Sequence, residues 1–285
     1  MKLNISPWTL DGFSLGGVET ALHVPELRLA LDVGRGRQGL VRCDHLALTH
    51  THMDHAGGLP YLLALRALYG MTAPTIYVPA QMASAMKAML DGWAALQRYP
   101  FPSPIVPTEP RARLPIGRGV WLDPFRTYHP VPSNGYTLLR ERKRLREAFV
   151  GLAGPVLADL RKRGEAIEET LLEPVLSFTS DTLVEVLEKQ PHILESQTLV
   201  LECTFLDARK SLEDARAGGH IHLSELMERA EVLRAMRGRL VLSHFSQIYA
   251  AREIEALLEP LRQKTGLDIV ALSTVAPDER QSLGE

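Results

Sequence analysis

Thr49-His50-Thr51-His52-Met53-Asp54-His55 sets three imidazoles and a carboxylate within six positions, directly behind the apolar run His45-Leu46-Ala47-Leu48. In an extended segment residues two apart point to the same side, so His50 and His52 can share one metal ion. Asp54 and His55 follow where Ala56-Gly57-Gly58-Leu59-Pro60 turns the chain into a helix, and from that turn they can reach a second ion beside the first. Imidazole and carboxylate donors with no thiolate nearby suit Zn²⁺, or a harder divalent ion such as Mn²⁺. The bland reading, a strand end with solvated histidines, is disfavoured because four such groups rarely gather without a ligand to share.

Working outward, 285 residues that are 45% hydrophobic suffice for one α/β domain with a sizeable core, expected over 1–285. Lys and Arg number 32 against 34 Asp and Glu, so there is no overall basic field to hold nucleic acid, and any RNA contact must be local. Cys43 and Cys203 are too few for a disulfide framework and lie in apolar runs, which fits a reducing cytoplasm. The opening Met1-Lys2-Leu3-Asn4-Ile5-Ser6-Pro7 lacks the apolar core of a signal peptide, and no later run approaches a membrane span, so no membrane partner is expected.

The pattern of elements alternates. Leu27–Val33 and His45–Thr49 read as strands, Gly58–Leu68 as a helix with Pro60 in its first turn and Gly70 as its stop. Thr75–Pro79 is a short strand, and Gln81–Leu96 has helical periodicity with Met82, Met86, Met89 and Leu90 as its packing stripe. The prolines between Tyr99 and Pro115 indicate a surface loop. Strand character returns from Val120 to His129, at Val175–Phe178, at Thr198–Leu201, at Arg239–Ser243 and near 268–272. Amphipathic helices are expected after Ser224, with Leu226, Ala230, Leu233 and Met236 inward, and over Ala250–Lys264. Residues 140–164 read as a strongly basic helical segment, within an insertion spanning about 140–174. Such a run is either a solvated face or a local grip on phosphates.

Several strand ends carry further chemistry. His129 heads His129-Pro130-Val131-Pro132-Ser133-Asn134-Gly135-Tyr136, and beside a half-built metal site it reads as a ligand. Asp181 follows Val175-Leu176-Ser177-Phe178 and has two readings, a carboxylate bridging two ions or a cap for the next helix. Glu202 ends an apolar strand and needs a partner there. Gly219-His220-Ile221-His222-Leu223-Ser224 offers two competing histidines, and Leu242-Ser243-His244 delivers one more at a strand end.

The ordered set His50, His52, Asp54, His55, His129, Asp181 and His244 resembles the dinuclear site of the metallo-β-lactamase superfamily. Within it, the chain looks like ribonuclease Z, carried by the 129–136 motif, by Glu202-Cys203-Thr204-Phe205, by His222 and by Leu242-Ser243-His244-Phe245-Ser246-Gln247. Gly16-Gly17-Val18-Glu19-Thr20 and Gly57-Gly58-Leu59-Pro60 bring it nearest the short plant-type form, and 140–174 is too short and helical for the long tRNA-gripping arm of other members. The resemblance implies an αββα sandwich with metals at the strand ends. It implies His50, His52 and His129 on one ion, Asp54, His55 and His244 on the other, Asp181 bridging, and a hydroxide between the ions as nucleophile. Asp54, Glu202 and His222 would form the catalytic set, with His222 protonating the leaving oxygen and Glu202 orienting it. A homodimer acting on precursor tRNA follows, with a cyclic-nucleotide type of phosphodiesterase as the alternative.

Overall fold

The computed structural model describes residues 1–272; residues 273–285 of the expected domain lie outside the described residues. Alternating or continuous apolar runs place fourteen strands in two sheets of seven among these residues. The first sheet takes β1 (Lys2–Ile5), β2 (Trp8–Leu15), β3 (Glu19–Val24), β4 (Leu29–Leu31), β5 (His45–Ala47), β6 (Thr75–Pro79) and β7 (Ile105–Thr108) side by side in chain order. The second takes β8 (Leu114–Gly117), β9 (Val120–Arg126), β10 (Asn134–Leu145), β11 (Glu168–Phe178), β12 (Thr198–Glu202), β13 (Arg239–Ser243) and β14 (Ile269–Ala271) in the same manner. In each sheet the first four strands pair antiparallel and the last four parallel. Parallel strands are buried on both faces, and β4, β12 and most of β5 and β13 are accordingly apolar and inaccessible.

Three apolar layers follow from this. Leu10, Leu22 and Leu31 meet Leu122, Tyr136, Phe178 and Val200 between the sheets. Outside the first sheet, α1 (Met53–Ala56), α2 (Leu59–Leu68) and α3 (Ala83–Gln97) lie against it, with Leu59, Leu62 and Met86 over Leu46 and Ile76. Outside the second sheet lie α5 (Val186–Lys189), α6 (Leu212–Ala217), α7 (Leu223–Glu228), α8 (Ala230–Arg234) and α9 (Ala251–Thr265), with Leu226, Leu233 and Leu258 over Leu199 and Leu240. The order is helix, sheet, sheet, helix: an αββα sandwich. No helix among the described residues is long and apolar enough to cross a membrane.

The insertion departs from its expected form. Residues 140–145 continue β10 and pair antiparallel with 168–173 of β11, so the segment is a β-ribbon projecting past β9, with the exposed α4 (Gly154–Lys162) near its tip. Charge complementarity explains why the basic run is a strand. Arg140 and Arg142 meet Glu173 across the ribbon, and Arg144 meets Glu169, an acidic partner that a helix reading of 140–164 leaves out. Two smaller expectations also shift. The proline-rich stretch 99–115 contains β7 and the start of β8, and the helix after Ser224 breaks at Arg229 into α7 and α8. Of the methionine stripe on α3, Met86 and Leu90 are buried as expected, whereas Met82 and Met89 are only half-buried.

One backbone contact locks the histidine loop onto the first sheet. Gly58 N–H donates to Gly34 O at 2.7 Å, and a Cβ on Gly58 would fall on the Gly36 nitrogen and the Arg35 carbonyl carbon. Backbone cannot yield as a side-chain tip does. Gly58→Ala is therefore expected to cost stability at the upper end of the ~1–3 kcal/mol seen for overpacking, read as a lowered urea midpoint.

Candidate metal centre

The C-terminal ends of β4, β5, β9, β11, β12 and β13 open on the same end of the sandwich, and the side chains of the cluster follow these ends, apart from His220, which lies between α6 and α7. From β5 the chain runs extended through His50 and His52, then makes the single turn α1 that carries Asp54 and His55. β9 leads to His129, β11 to Asp181 and β13 to His244. All seven residues anticipated from the sequence are brought together. One ligand atom from each of His50, His52, His129 and Asp181 lies within 4.8 Å of the others, and so does one from each of Asp54, His55 and His244. Asp181 stands between the two groups: Oδ2 is 3.7 Å from His50 Nε2, while Oδ1 is 3.4 Å from His55 Nε2 and 3.3 Å from His244 Nε2. Its reading as a helix cap is set aside, since α5 begins only at Val186 and its cap position is Glu185.

Each imidazole is aimed by what its other nitrogen does. His55 Nδ1–H donates to Asp32 Oδ2 at 2.8 Å, His129 Nδ1–H to Gly219 O at 3.1 Å, and His244 Nδ1–H to Thr204 Oγ1 at 2.9 Å. His50 Nδ1 lies 3.1 Å from Thr49 Oγ1. These four therefore present Nε2 to the shared space, whereas His52 presents Nδ1, 3.2 Å from both His50 Nε2 and His129 Nε2. Fixing the remote nitrogen sets tautomer and ring direction, as in known metal sites. Asp32 was not anticipated as a site residue. It is fully buried just past β4 and also accepts from the Thr49 N–H and hydroxyl, both at 2.7 Å. A carboxylate ending an apolar strand and followed by Gly34 was the available signal.

The backbone is strained here. Asp32, Ser180 and His244 take φ of +58°, +53° and +60°, a region that side chains other than glycine seldom occupy. Gly219, at φ +77°, has no such option, because a Cβ would stand 2.7 Å from His129 Nδ1.

The electrostatics favour cations. Burial pushes the Asp54 and Asp181 carboxyls up, but the surrounding imidazoles outweigh it and hold both below the ordinary carboxylate range. Burial pulls the His50 and His129 imidazoles down, toward the neutral form that binds metal. Most telling, His55 Nε2, His244 Nε2 and Asp181 Oδ1 are buried with no hydrogen-bond partner. Three orphaned polar atoms facing one another fit a divalent cation. The His/Asp cluster is one that could bind metal ions.

The acid–base pair falls out differently from expectation. Glu202, inaccessible to solvent, accepts from Thr182 N–H at 2.8 Å, from the Thr204 hydroxyl at 2.6 Å and from His220 Nδ1–H at 3.0 Å. His220, not His222, is the imidazole that Glu202 orients. Its ring stacks on His244 with centroids 5.2 Å apart, and it shares the third potential metal group with Asp181 and His244. Burial lowers the His220 pKa, but the Glu202 carboxylate more than reverses this, raising it to about 9. His222 points away: Nδ1 accepts from Ser224 N–H at 3.2 Å, Nε2–H donates to Asp207 O at 3.2 Å, and its backbone N–H donates to Glu225 Oε2. It is the N-cap of α7. Residues 218–222 cross from α6 to α7, and spacing alone did not choose between the two histidines.

With this geometry in place, likeness to known proteins becomes informative. The metallo-β-lactamase superfamily profile matches residues 18–146. Over 261 residues, 91% of this chain and 92% of the relative, the sequence is 33% identical to tRNase Z TRZ1 of Arabidopsis thaliana. The chain belongs to the tRNase Z family. A second Arabidopsis thaliana member, the chloroplastic tRNase Z TRZ2, is 31% identical over 273 residues, which is 95% of this chain and 77% of that one. The crystal structure of human tRNase Z, short form, shares the fold with a TM-score of 0.57 at 18% identity, covering 92% of this tRNase Z family chain and 95% of the human one.

Two measurements test the centre. Asp181→Ala should lower bound metal well below the wild-type content in elemental analysis, and wild-type stoichiometry in that variant would rule Asp181 out as a ligand. Asp32→Asn, which leaves every proposed ligand in place but alters the carboxylate that orients His55, should weaken metal affinity by roughly 10- to 100-fold in calorimetric titration.

Proposed function

We propose that this protein is a metal-dependent endoribonuclease that removes the 3′ trailer of precursor tRNA. The observation that carries this reading is the near full-length likeness to tRNases Z, joined to a cluster whose orphaned buried donors call for cations. His50, His52 and His129 would hold one ion, Asp54, His55 and His244 the other, with Asp181 between them. Zn²⁺ suits this mixture of imidazole and carboxylate, with Mn²⁺ as the harder alternative. Bound there, two divalent cations supply Lewis acidity toward water and toward the phosphodiester.

The chain's own groups do the rest. Glu202 holds the His220 Nδ1–H, leaving Nε2 turned toward the cluster, where it is placed to give a proton to the departing 3′ oxygen. His220 thus takes the role that the sequence reading gave to His222. Asp54, at the helical turn beside His55, stays with the catalytic set as an ion-holding carboxylate. Two buried free cysteines agree with a reducing compartment such as the cytoplasm. A homodimer is supported by Leu68, Tyr69, Leu96 and Tyr99, large apolar side chains left half or more exposed around the C-terminal ends of α2 and α3. Near-neutral charge is what favours the cyclic-nucleotide alternative, and the near full-length likeness to tRNases Z outweighs it.

Metal-loaded protein should cut precursor tRNA next to the discriminator base and leave cyclic nucleotides intact; the reverse result refutes the assignment. His220→Ala is expected to keep both metals and lose roughly 10²- to 10⁴-fold in cleavage, the reach of general acid catalysis. His222→Ala should instead lower stability by roughly 0.5–2 kcal/mol as a lost cap, with cleavage by the folded enzyme near wild type.

A further inference from the structure

Beside the histidine loop runs a cleft of about 280 Å³ that the metal chemistry does not use. One wall is Thr51 and Met53, the residues on either side of His52; the other is Met82, just before α3, with Met86, Met89 and Trp93 of α3. No charged side chain lines it. Met53 is 77% exposed and Trp93 50% exposed, so apolar surface that could have been tucked under α3 stands in water at the rim of the site. The volume falls just under the roughly 300–1,000 Å³ of pockets that enclose drug-sized ligands, which leaves room for one planar ring system. Thioethers are polarizable and adaptable, and they favour contact with flat aromatic faces.

We propose that this cleft receives the unstacked base of one nucleotide flanking the scissile phosphate, sandwiched between Trp93 and the methionines. The inference rests on the RNA-cleaving reading and deepens it. A phosphate seated at His52 leaves its neighbouring base within a nucleotide's reach of Met53, and the absence of charge suits a base rather than a second phosphate. Stacking on Trp93 tolerates any base, and the methionines adjust to purine or pyrimidine, so the cleft fixes the backbone's path without demanding a sequence. A variable trailer calls for that kind of grip.

The test uses the metal-loaded protein, a precursor tRNA, versions of it made abasic at the nucleotide on each side of the cut, and methyl p-nitrophenyl phosphate as a diester lacking any base. Trp93→Ala should lower kcat/KM on the precursor by roughly 5- to 150-fold, the range for losing one base–aromatic stack. Hydrolysis of the base-free diester should be unchanged, and Trp93→Phe should restore cleavage. One of the two abasic precursors should cost the wild type the same factor and cost Trp93→Ala nothing further. In stopped-flow mixing, tryptophan emission should fall on binding of the intact precursor, and much less with that abasic one or in Trp93→Phe. Equal losses on both substrates, independent effects of Trp93→Ala and the abasic sites, or quenching indifferent to the base each overturn the proposal. An uncut precursor that still quenches through its base leaves the cleft assignment standing and refutes the nuclease assignment instead.

Discussion

The meeting of Asp181 with His55 and His244 is the constraint on which this architecture turns. Three of their polar atoms are buried without partners, and each such group costs about 1–3 kcal/mol when left unsatisfied. Left-handed backbone at Asp32, Ser180 and His244 adds strain to the same region. A fold tolerates this only if the surrounding layers hold it and if something binds there. The two sheets supply the first condition, because their parallel halves end together and their cores fix the strand ends on either side. A cation supplies the second.

Orientation is achieved one step back from the cluster. Asp32, Thr204 and the Gly219 carbonyl each take one imidazole N–H, so that His55, His244 and His129 are committed to a single tautomer and a single direction. Glu202 does two things at once: it accepts the Thr204 hydroxyl that in turn accepts from His244, and it accepts from His220. The ligand set and the proton donor are therefore mechanically joined through one buried carboxylate. Disturbing Glu202 is bound to move both.

Away from the centre, charge is spread thinly. The formal net charge is −2, and the arginines of the projecting ribbon are matched by Glu169 and Glu173, pairs that at the surface are each worth little. A polyanionic substrate would be held by local contacts rather than by a global field, and shape and stacking near the cut carry more of the burden than long-range attraction.

The sequence by itself marked out the candidate metal cluster. Four candidate ligands packed into 50–55 were legible from strand periodicity and the glycine-marked turn, and the resemblance of the ordered set named the other three. It also showed much of the alternation of strands and helices, compatible with the sandwich that the resemblance implied. Only the tertiary structure decided between His220 and His222, since the choice depends on which faces Glu202 across the gap between β12 and α7. Asp32 became visible for the same reason: its partner His55 is 23 positions away and reaches it through packing. The ribbon at 140–174 was misread because a helix is a local choice while a strand is a bargain with a partner, and the glutamates that make 140–145 a strand lie on the far side of the turn.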